Sequence, residues 1–200
     1  MHGIQVPALD PASTTGVAAL MRDAPLSEAA RVRLRADPNA RQLIDELGAA
    51  GSHGDALKVL ARVLPRQYAL AWACECVRRF LVPGSPTHDI DRAGLALAEG
   101  WLREPSEDNR RAALEFAERG AYESVGAWIA AACAWSEGSI APAGYAAVPP
   151  AEHLAADALA AALAFLAAQS PEEIPARQAA FVQRALSVFG GRERVSEPVA

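Results

Sequence analysis

Apolar residues recur at helical spacing along most of the chain, and the widest apolar face belongs to residues 64–81. At 100° per residue, the apolar side chains of this segment fill an arc of roughly 200°. The polar side chains on the remaining surface are Gln67, Glu75, Arg78 and Arg79. Pro65 fits the first helical position, where its missing N–H costs nothing. Burial of Trp72 alone is worth up to about 5 kcal/mol. We therefore expect this segment to be the central helix of the core.

The same periodicity predicts further helices on both sides of this segment. Their approximate bounds are 14–21, 27–36, 40–47, 55–64, 88–103, 107–119, 122–135, 151–169 and 174–189. Alanine is abundant and aromatic residues make up only 6% of the chain, which favours closely packed helices over sheets. We expect an all-α fold, an irregular multi-helix bundle of about eight to ten helices, because no fixed repeat period emerges. Stacked helix pairs of the HEAT type are the alternative.

The length of 200 residues is enough for one domain with a core and short for two. Residues 1–12 contain prolines and no periodicity, so we expect a disordered lead. A single helical domain should follow over 13–190, and a charged, flexible tail over 191–200. Six large aromatic residues are predicted for the structural core. They are Trp72, Phe80, Trp101, Phe116, Trp128 and Trp135.

The longest predicted connection is the segment 136–150, which contains three prolines and two glycines. Loops of this length are uncommon in compact domains, and they are either functional or packed by their own apolar residues. Ile140, Tyr145 and Val148 favour packing against the body. A functional role for the loop stays open at this point.

The charge of the chain argues against a nucleic-acid partner. The net charge is −5, and the excess of acidic residues lies in residues 101–200. Without an excess of positive charge there is no electrostatic footprint for a phosphate backbone.

The pattern of apolar runs bears on localisation. The first residues lack a basic segment followed by an apolar core, so no secretory signal is expected. The longest apolar runs, 126–135 and 154–168, are shorter than the roughly 20 residues that span a bilayer. We expect a cytoplasmic protein without membrane insertion.

No residue set has the spacing of a catalytic, cofactor or metal site. Cys74, Cys76 and Cys133 lack zinc-site spacing and are interpreted as reduced, buried thiols. The four histidines stand alone: His2, His53, His88 and His153. Asp89 and Asp91 open a helix, where negative charge is stabilised without a metal. We therefore predict no catalytic residue, no cofactor and no metal, and a protein that is not an enzyme.

Arginines are the best candidates for partner binding, because a planar guanidinium pairs readily with carboxylates at interfaces. The candidates are Arg66, Arg78, Arg79, Arg110 and Arg111. The alternative is a solvated face, or internal pairing with Glu75, Glu107 and Glu115.

Several short segments between residues 40 and 190 are distinctive as a set. They are Asp55-Ala56-Leu57, Leu64-Pro65-Arg66, Ala69-Leu70, Trp72-Ala73-Cys74, Trp101, Pro105-Ser106-Glu107, Asn109-Arg110-Arg111-Ala112-Ala113, Trp135-Ser136, Gly138-Ser139, Pro142 and Pro149-Pro150. The set resembles a poorly characterised, all-helical bacterial family associated with type VI secretion gene clusters. Such sequences tend to read Arg-Glu-Ala-Val-Trp-Trp where this chain has Gln67-Tyr68-Ala69-Leu70-Ala71-Trp72, so one tryptophan and one glutamate are missing. The resemblance implies an accessory or adaptor role beside a secretion machine, and it brings no catalytic residues.

These observations favour a non-catalytic cytoplasmic protein that binds another protein, as an adaptor, chaperone or regulator accessory to type VI secretion. Homodimer formation is left open. One alternative is an immunity-type protein that neutralises a toxin through an acidic face of residues 101–200. Another is a helical enzyme whose residues assemble only in three dimensions, which requires a pocket with at least two perturbed ionisable groups.

Overall fold

The computed structural model describes residues 16–142 and 144–189, and the regular structure in these ranges is entirely helical. The ten α-helices of these ranges are α1 Val17–Leu20, α2 Glu28–Leu34, α3 Ala40–Ala49, α4 His53–Val63, α5 Arg66–Phe80, α6 His88–Arg103, α7 Glu107–Arg119, α8 Val125–Ala134, α9 Leu154–Ala168 and α10 Ile174–Phe189. A short 3₁₀ turn, Pro171–Glu173, precedes α10. The predicted all-α, multi-helix bundle is confirmed. The expected lead 1–12 and tail 191–200 lie outside the described residues.

Helix α8 lies at the centre of the bundle, where it contacts α5, α6, α7 and α9. Nine of its ten residues are buried, and several of them are alanines that let the neighbouring helices come close. Helix α5 packs against α6, α8 and α9, and α4 packs against α3, α9 and α10. Trp72 of α5 and Trp101 of α6 are buried in this core. The other four aromatic residues predicted for the core are partly buried at its edge: Phe80, Phe116, Trp128 and Trp135.

Where α6 and α8 approach most closely, their backbones meet without a side chain between them. Gly94 and Gly126 face each other at this crossing, and Asp91 of α6 lies beside them. The Asp91 carboxylate is fully buried and accepts the backbone N–H of Gly126 at 2.8 Å. It also accepts the Thr87 hydroxyl at 2.7 Å and the Gln169 side-chain amide at 2.9 Å. By accepting these three hydrogen bonds, Asp91 links the start of α6 to the start of α8 and to the end of α9.

Helix α8 begins three residues later than the periodicity predicts. Ala121 and Tyr122 adopt left-handed backbone angles, with φ of 47° and 59°, so the chain cannot be helical there. Ser124 then caps the helix by accepting the N–H of Ala127 at 3.1 Å.

Within the described ranges, no single helix combines the length and apolar character needed to cross a bilayer. Helix α9 and the segment Pro171–Phe189 meet that length and composition test only as a pair, which is bent by 114°.

Candidate partner-binding site

Three of the five candidate arginines hold the loop 136–150 against the helical body by its backbone. Arg66 of α5 donates from Nη1 to the carbonyl oxygen of Ser136 at 2.8 Å. From α7, Arg110 Nη2 donates to the Ser139 carbonyl at 2.9 Å, and Arg111 Nη1 to the Ala141 carbonyl at 2.9 Å. We call residues 136–150 the anchored loop. Its position is thus set by charged side chains from two separate helices.

Arg110 is the central anchor, and its guanidinium is only 1% exposed. Its Nε and Nη2 donate to the two carboxylate oxygens of Glu107, each at 2.7 Å. Its Nη1 donates to the carbonyl of Ala134 at 2.9 Å. This carbonyl lies at the C-terminal end of α8, where the positive charge of Arg110 interacts favourably with the negative end of the helix dipole. Arg110 therefore makes four hydrogen bonds inside the protein, and its guanidinium holds the loop instead of facing the surroundings.

Gly138 makes room for this guanidinium. It has a φ of +74°, and a Cβ at this position would lie 2.6 Å from Arg110 Nε. Any larger residue would be strained in its backbone and would collide with the anchor. The glycine therefore belongs to the anchoring device and not to a phosphate-binding loop.

Hydrogen bonds within the anchored loop close it on itself. The Ser139 hydroxyl oxygen accepts the N–H of Ala141 at 3.1 Å and the N–H of Val148 at 3.0 Å. The N–H of Ile140 donates to the carbonyl of Val148 at 2.9 Å. Sequence reasoning missed this role of Ser139, although the Gly138-Ser139 pair stands among the distinctive segments.

The apolar side chains of the anchored loop point away from the core. Tyr145 is 77% exposed, Val148 is 47% exposed and Ile140 is 37% exposed. The prediction that these residues pack the loop against the body is wrong. The backbone contacts made by the arginines replace the apolar packing that the sequence suggests. The loop consequently presents three apolar side chains to its surroundings, while the arginines hold its backbone at Ser136, Ser139 and Ala141.

An aromatic cluster adjoins the base of the anchored loop. Tyr122 lies between Trp128 and Trp135, with ring centroids 5.4 and 5.7 Å away. Phe165 of α9 extends the cluster, 6.4 Å from Trp128, and its side chain is exposed. Burial, followed by the nearby charge of Glu118, raises the pKa of Tyr122. The left-handed turn at residues 121 and 122 is what places this tyrosine between the two tryptophans, at a backbone cost of order 1–3 kcal/mol per residue.

The remaining two candidate arginines make other contacts. Arg78 pairs with Glu99 of α6, and that hydrogen bond raises the pKa of the guanidinium. Arg79 lies over the ring of Phe80, 5.8 Å from its centroid. Of the acidic partners named from the sequence, Glu107 pairs with Arg110 and Arg111, whereas Glu75 pairs with Arg184 and Glu115 with Arg119.

The cysteines lie in surroundings that oppose nucleophilic chemistry. All three are buried free thiols. Burial raises the pKa of Cys76 and of Cys133 to about 12, and it raises that of Cys74 further. Among the described residues, no group of three or more histidine, cysteine or acidic side chains is placed to hold a metal ion.

The fold and this site define an all-α protein with an exposed apolar loop anchored by arginines. The chain belongs to the Family of unknown function (DUF6931), whose model matches residues 43–189. That range contains the anchored loop, the three arginines and the aromatic cluster. The resemblance to a poorly characterised family is confirmed to this extent. No curated protein and no solved structure matches the chain.

Proposed function

We propose that the chain is a non-catalytic cytoplasmic interaction protein that serves type VI secretion as an adaptor, chaperone or regulator. The observation that carries the proposal is the exposure of Tyr145, Val148 and Ile140 on a loop whose backbone is fixed by Arg66, Arg110 and Arg111. The partner is a protein that buries these side chains.

Fixing the loop before binding favours affinity. A partner that orders a mobile segment loses conformational entropy, whereas the anchored loop has already given up that freedom on folding. Tyrosine is enriched among the residues that dominate interface energies, because its ring supplies large contact area with few rotatable bonds. Tyr145 is therefore the expected centre of the interface.

The association with secretion rests on the resemblance and on where its segments fall. Gly138-Ser139, Pro142 and Pro149-Pro150 lie within the anchored loop, and Trp135-Ser136 lies at its start. Arg66, Arg110 and Arg111 belong to other segments of the same set. Part of the set therefore covers the loop and its anchors.

Photo-crosslinking in a native host that encodes a type VI secretion system tests the proposal. Tyr145 is replaced by photoreactive benzoylphenylalanine, and the matched control carries the same group at Val32 of α2, an exposed apolar position that is 54% accessible. We expect one discrete adduct from position 145 that contains a type VI secretion component, and none from position 32. Identical adducts at both positions, or none at position 145, would contradict the proposal.

Two other adducts would also contradict the proposed adaptor role. A crosslink between two copies of this chain would make the loop a homodimer interface. An adduct with a toxin would favour the immunity-type alternative over the adaptor role.

A further inference from the structure

The surface at the base of the anchored loop is aromatic and partly exposed. Trp135 immediately precedes the loop, and the ring centroid of Tyr122 lies 5.7 Å from that of Trp135. The Tyr122 ring is also 5.4 Å from Trp128, which in turn is 6.4 Å from Phe165 of α9. Tyr122, Trp128 and Trp135 are partly buried, whereas Phe165 is 43% exposed. An aromatic surface therefore extends from the start of the anchored loop to α9.

Carboxylates lie beside this surface and beside the loop. Burial raises the pKa of Tyr122, and the charge of Glu118 raises it further, so this carboxylate lies near the aromatic rings. The hydrogen bond with Glu107 raises the pKa of Arg110, and the charge of Glu137 adds to the same shift. Glu137 therefore lies near the guanidinium that holds the loop. Both Glu118 and Glu137 are exposed.

The segment that builds this surface carries more negative than positive charge. Residues 107–150, from the start of α7 to the end of the anchored loop, contain six acidic residues and three arginines. Each of these arginines already pairs with a glutamate of α7. Arg66 reaches the loop from α5 and reduces the excess to two negative charges. The carboxylates of this segment that form no ion pair among the described residues are Asp108, Glu118, Glu123 and Glu137.

This combination of charge and apolar surface restricts the partner. An excess of carboxylates repels phosphate groups, so it disfavours nucleic acid and anionic lipid. It attracts a protein segment in which lysines or arginines alternate with apolar residues. The apolar residues of such a segment can be buried against Tyr145 and Phe165, while its cations face Glu118 and Glu137. The exposed ring of Phe165 can also contact a cation through its face.

We propose that the partner of this chain binds through a basic, apolar segment that lies across the anchored loop and the aromatic cluster. The inference rests on the proposed function, because the exposed side chains of the loop belong to the same surface. Charge attraction governs the encounter and the orientation of the partner, whereas the apolar contacts hold it in place. Salt screens only the first of these contributions strongly, so the two can be measured apart.

Photo-crosslinking from position 145 under two salt conditions tests the inference. Full-length protein with benzoylphenylalanine at this position is irradiated in a lysate of the native host at about 50 mM and about 500 mM NaCl. The double variant Glu118→Gln with Glu137→Gln should lower the adduct yield at low salt at least about threefold. The matched control is Asp37→Asn with Glu46→Gln, two exposed acidic residues at the distant α2–α3 end of the chain, and it should keep the wild-type yield.

Two further readouts accompany the yields. The wild-type yield should fall at least about threefold at the higher salt concentration, and the partner peptide that carries the crosslink should contain several lysines or arginines. Equal yields of the two double variants, or an acidic crosslinked peptide, would overturn the inference. The proposed function would then still stand, because the adduct at position 145 would still form. Absence of any adduct at position 145 would overturn both.

Discussion

Gly94 of α6 and Gly126 of α8 meet backbone to backbone, and a Cβ added to Gly94 would lie 2.1 Å from the carbonyl oxygen of Gly126. No side chain fits between the two helices at this point. The short separation allows Asp91 to reach the N–H of Gly126 and fixes α8, whose C-terminal end receives Arg110. The central crossing of the bundle and the anchored loop are therefore connected through α8.

Gly94→Ala should lower the free energy of unfolding by about 3 kcal/mol or more, because the atom it must displace is backbone and cannot move aside. Gly100→Ala on the same helix is the matched control, since nothing lies within 4 Å of its Cβ position. The control should gain about 0.5–1 kcal/mol from better helix propensity. Urea unfolding measures both. Equal stabilities of the two variants would contradict the close backbone contact between Gly94 and Gly126.

Arg110→Lys should destabilise the protein by about 3 kcal/mol, since lysine cannot replace the two-pronged contact with Glu107 together with two carbonyl contacts. Arg119→Lys, at an exposed pair on the same helix, should change the stability by less than about 0.5 kcal/mol. Thermal unfolding followed by circular dichroism distinguishes them. A small effect at Arg110 would mean that the loop is held by something else.

The pH dependence of stability should report the Glu107 contact. The hydrogen bond from Arg110, with a further one from Arg111, lowers the pKa of Glu107 from 4.5 to about 2. Because the folded-state pKa lies below the unfolded one, the ionised carboxylate contributes stability above pH 4.5, and that contribution is lost as the pH falls towards 2. The side chain is half exposed, so we expect the contribution to stay within about 1 kcal/mol.

Comparison with Glu107→Gln checks this dependence. The stability difference between wild type and the variant, measured by denaturant unfolding at a series of pH values, should shrink as the pH is lowered from 4.5 towards 2. A difference that stays constant over this interval would rule out the carboxylate as its source.

Trp72→Ala should cost about 3–5 kcal/mol, since it removes a buried indole from the core. Trp72→Phe should cost less, about 1–3 kcal/mol, because it keeps most of the ring and loses the hydrogen bond from Nε1 to the carbonyl of Phe181 at 3.0 Å. An unchanged melting temperature of the alanine variant would contradict the position of α5 in the core.

The parts of the fold set by local pattern could be predicted from the sequence. The expected helix Ile174–Phe189 has the same bounds in the structure, and Ser106 caps α7 as its position suggests, by accepting the N–H of Asn109. These features depend on periodicity and on residues within one helical turn. The left-handed turn at Ala121 and Tyr122 could not be predicted, because neither residue type favours positive φ.

The candidate site was harder to predict because its contacts join distant segments. Arg66 and Ser136 are 70 residues apart in the chain. A helical pattern assigns a charged residue such as Arg110 to the solvent, and only the folded structure reveals the carbonyls that surround it. The exposure of Tyr145 could not be predicted either. It depends on the arginines that hold the loop backbone, and these belong to distant segments of the chain.

Amide hydrogen exchange at Ile140 and Val148 tests the anchored loop most directly, since their N–H groups donate to Val148 and to Ser139 within it. Both amides should be protected at least about tenfold in the wild type, and Arg111→Ala should remove most of that protection while Arg119→Ala should not. Exchange at the rate of a free peptide in the wild type would contradict a fixed loop and the partner surface built on it.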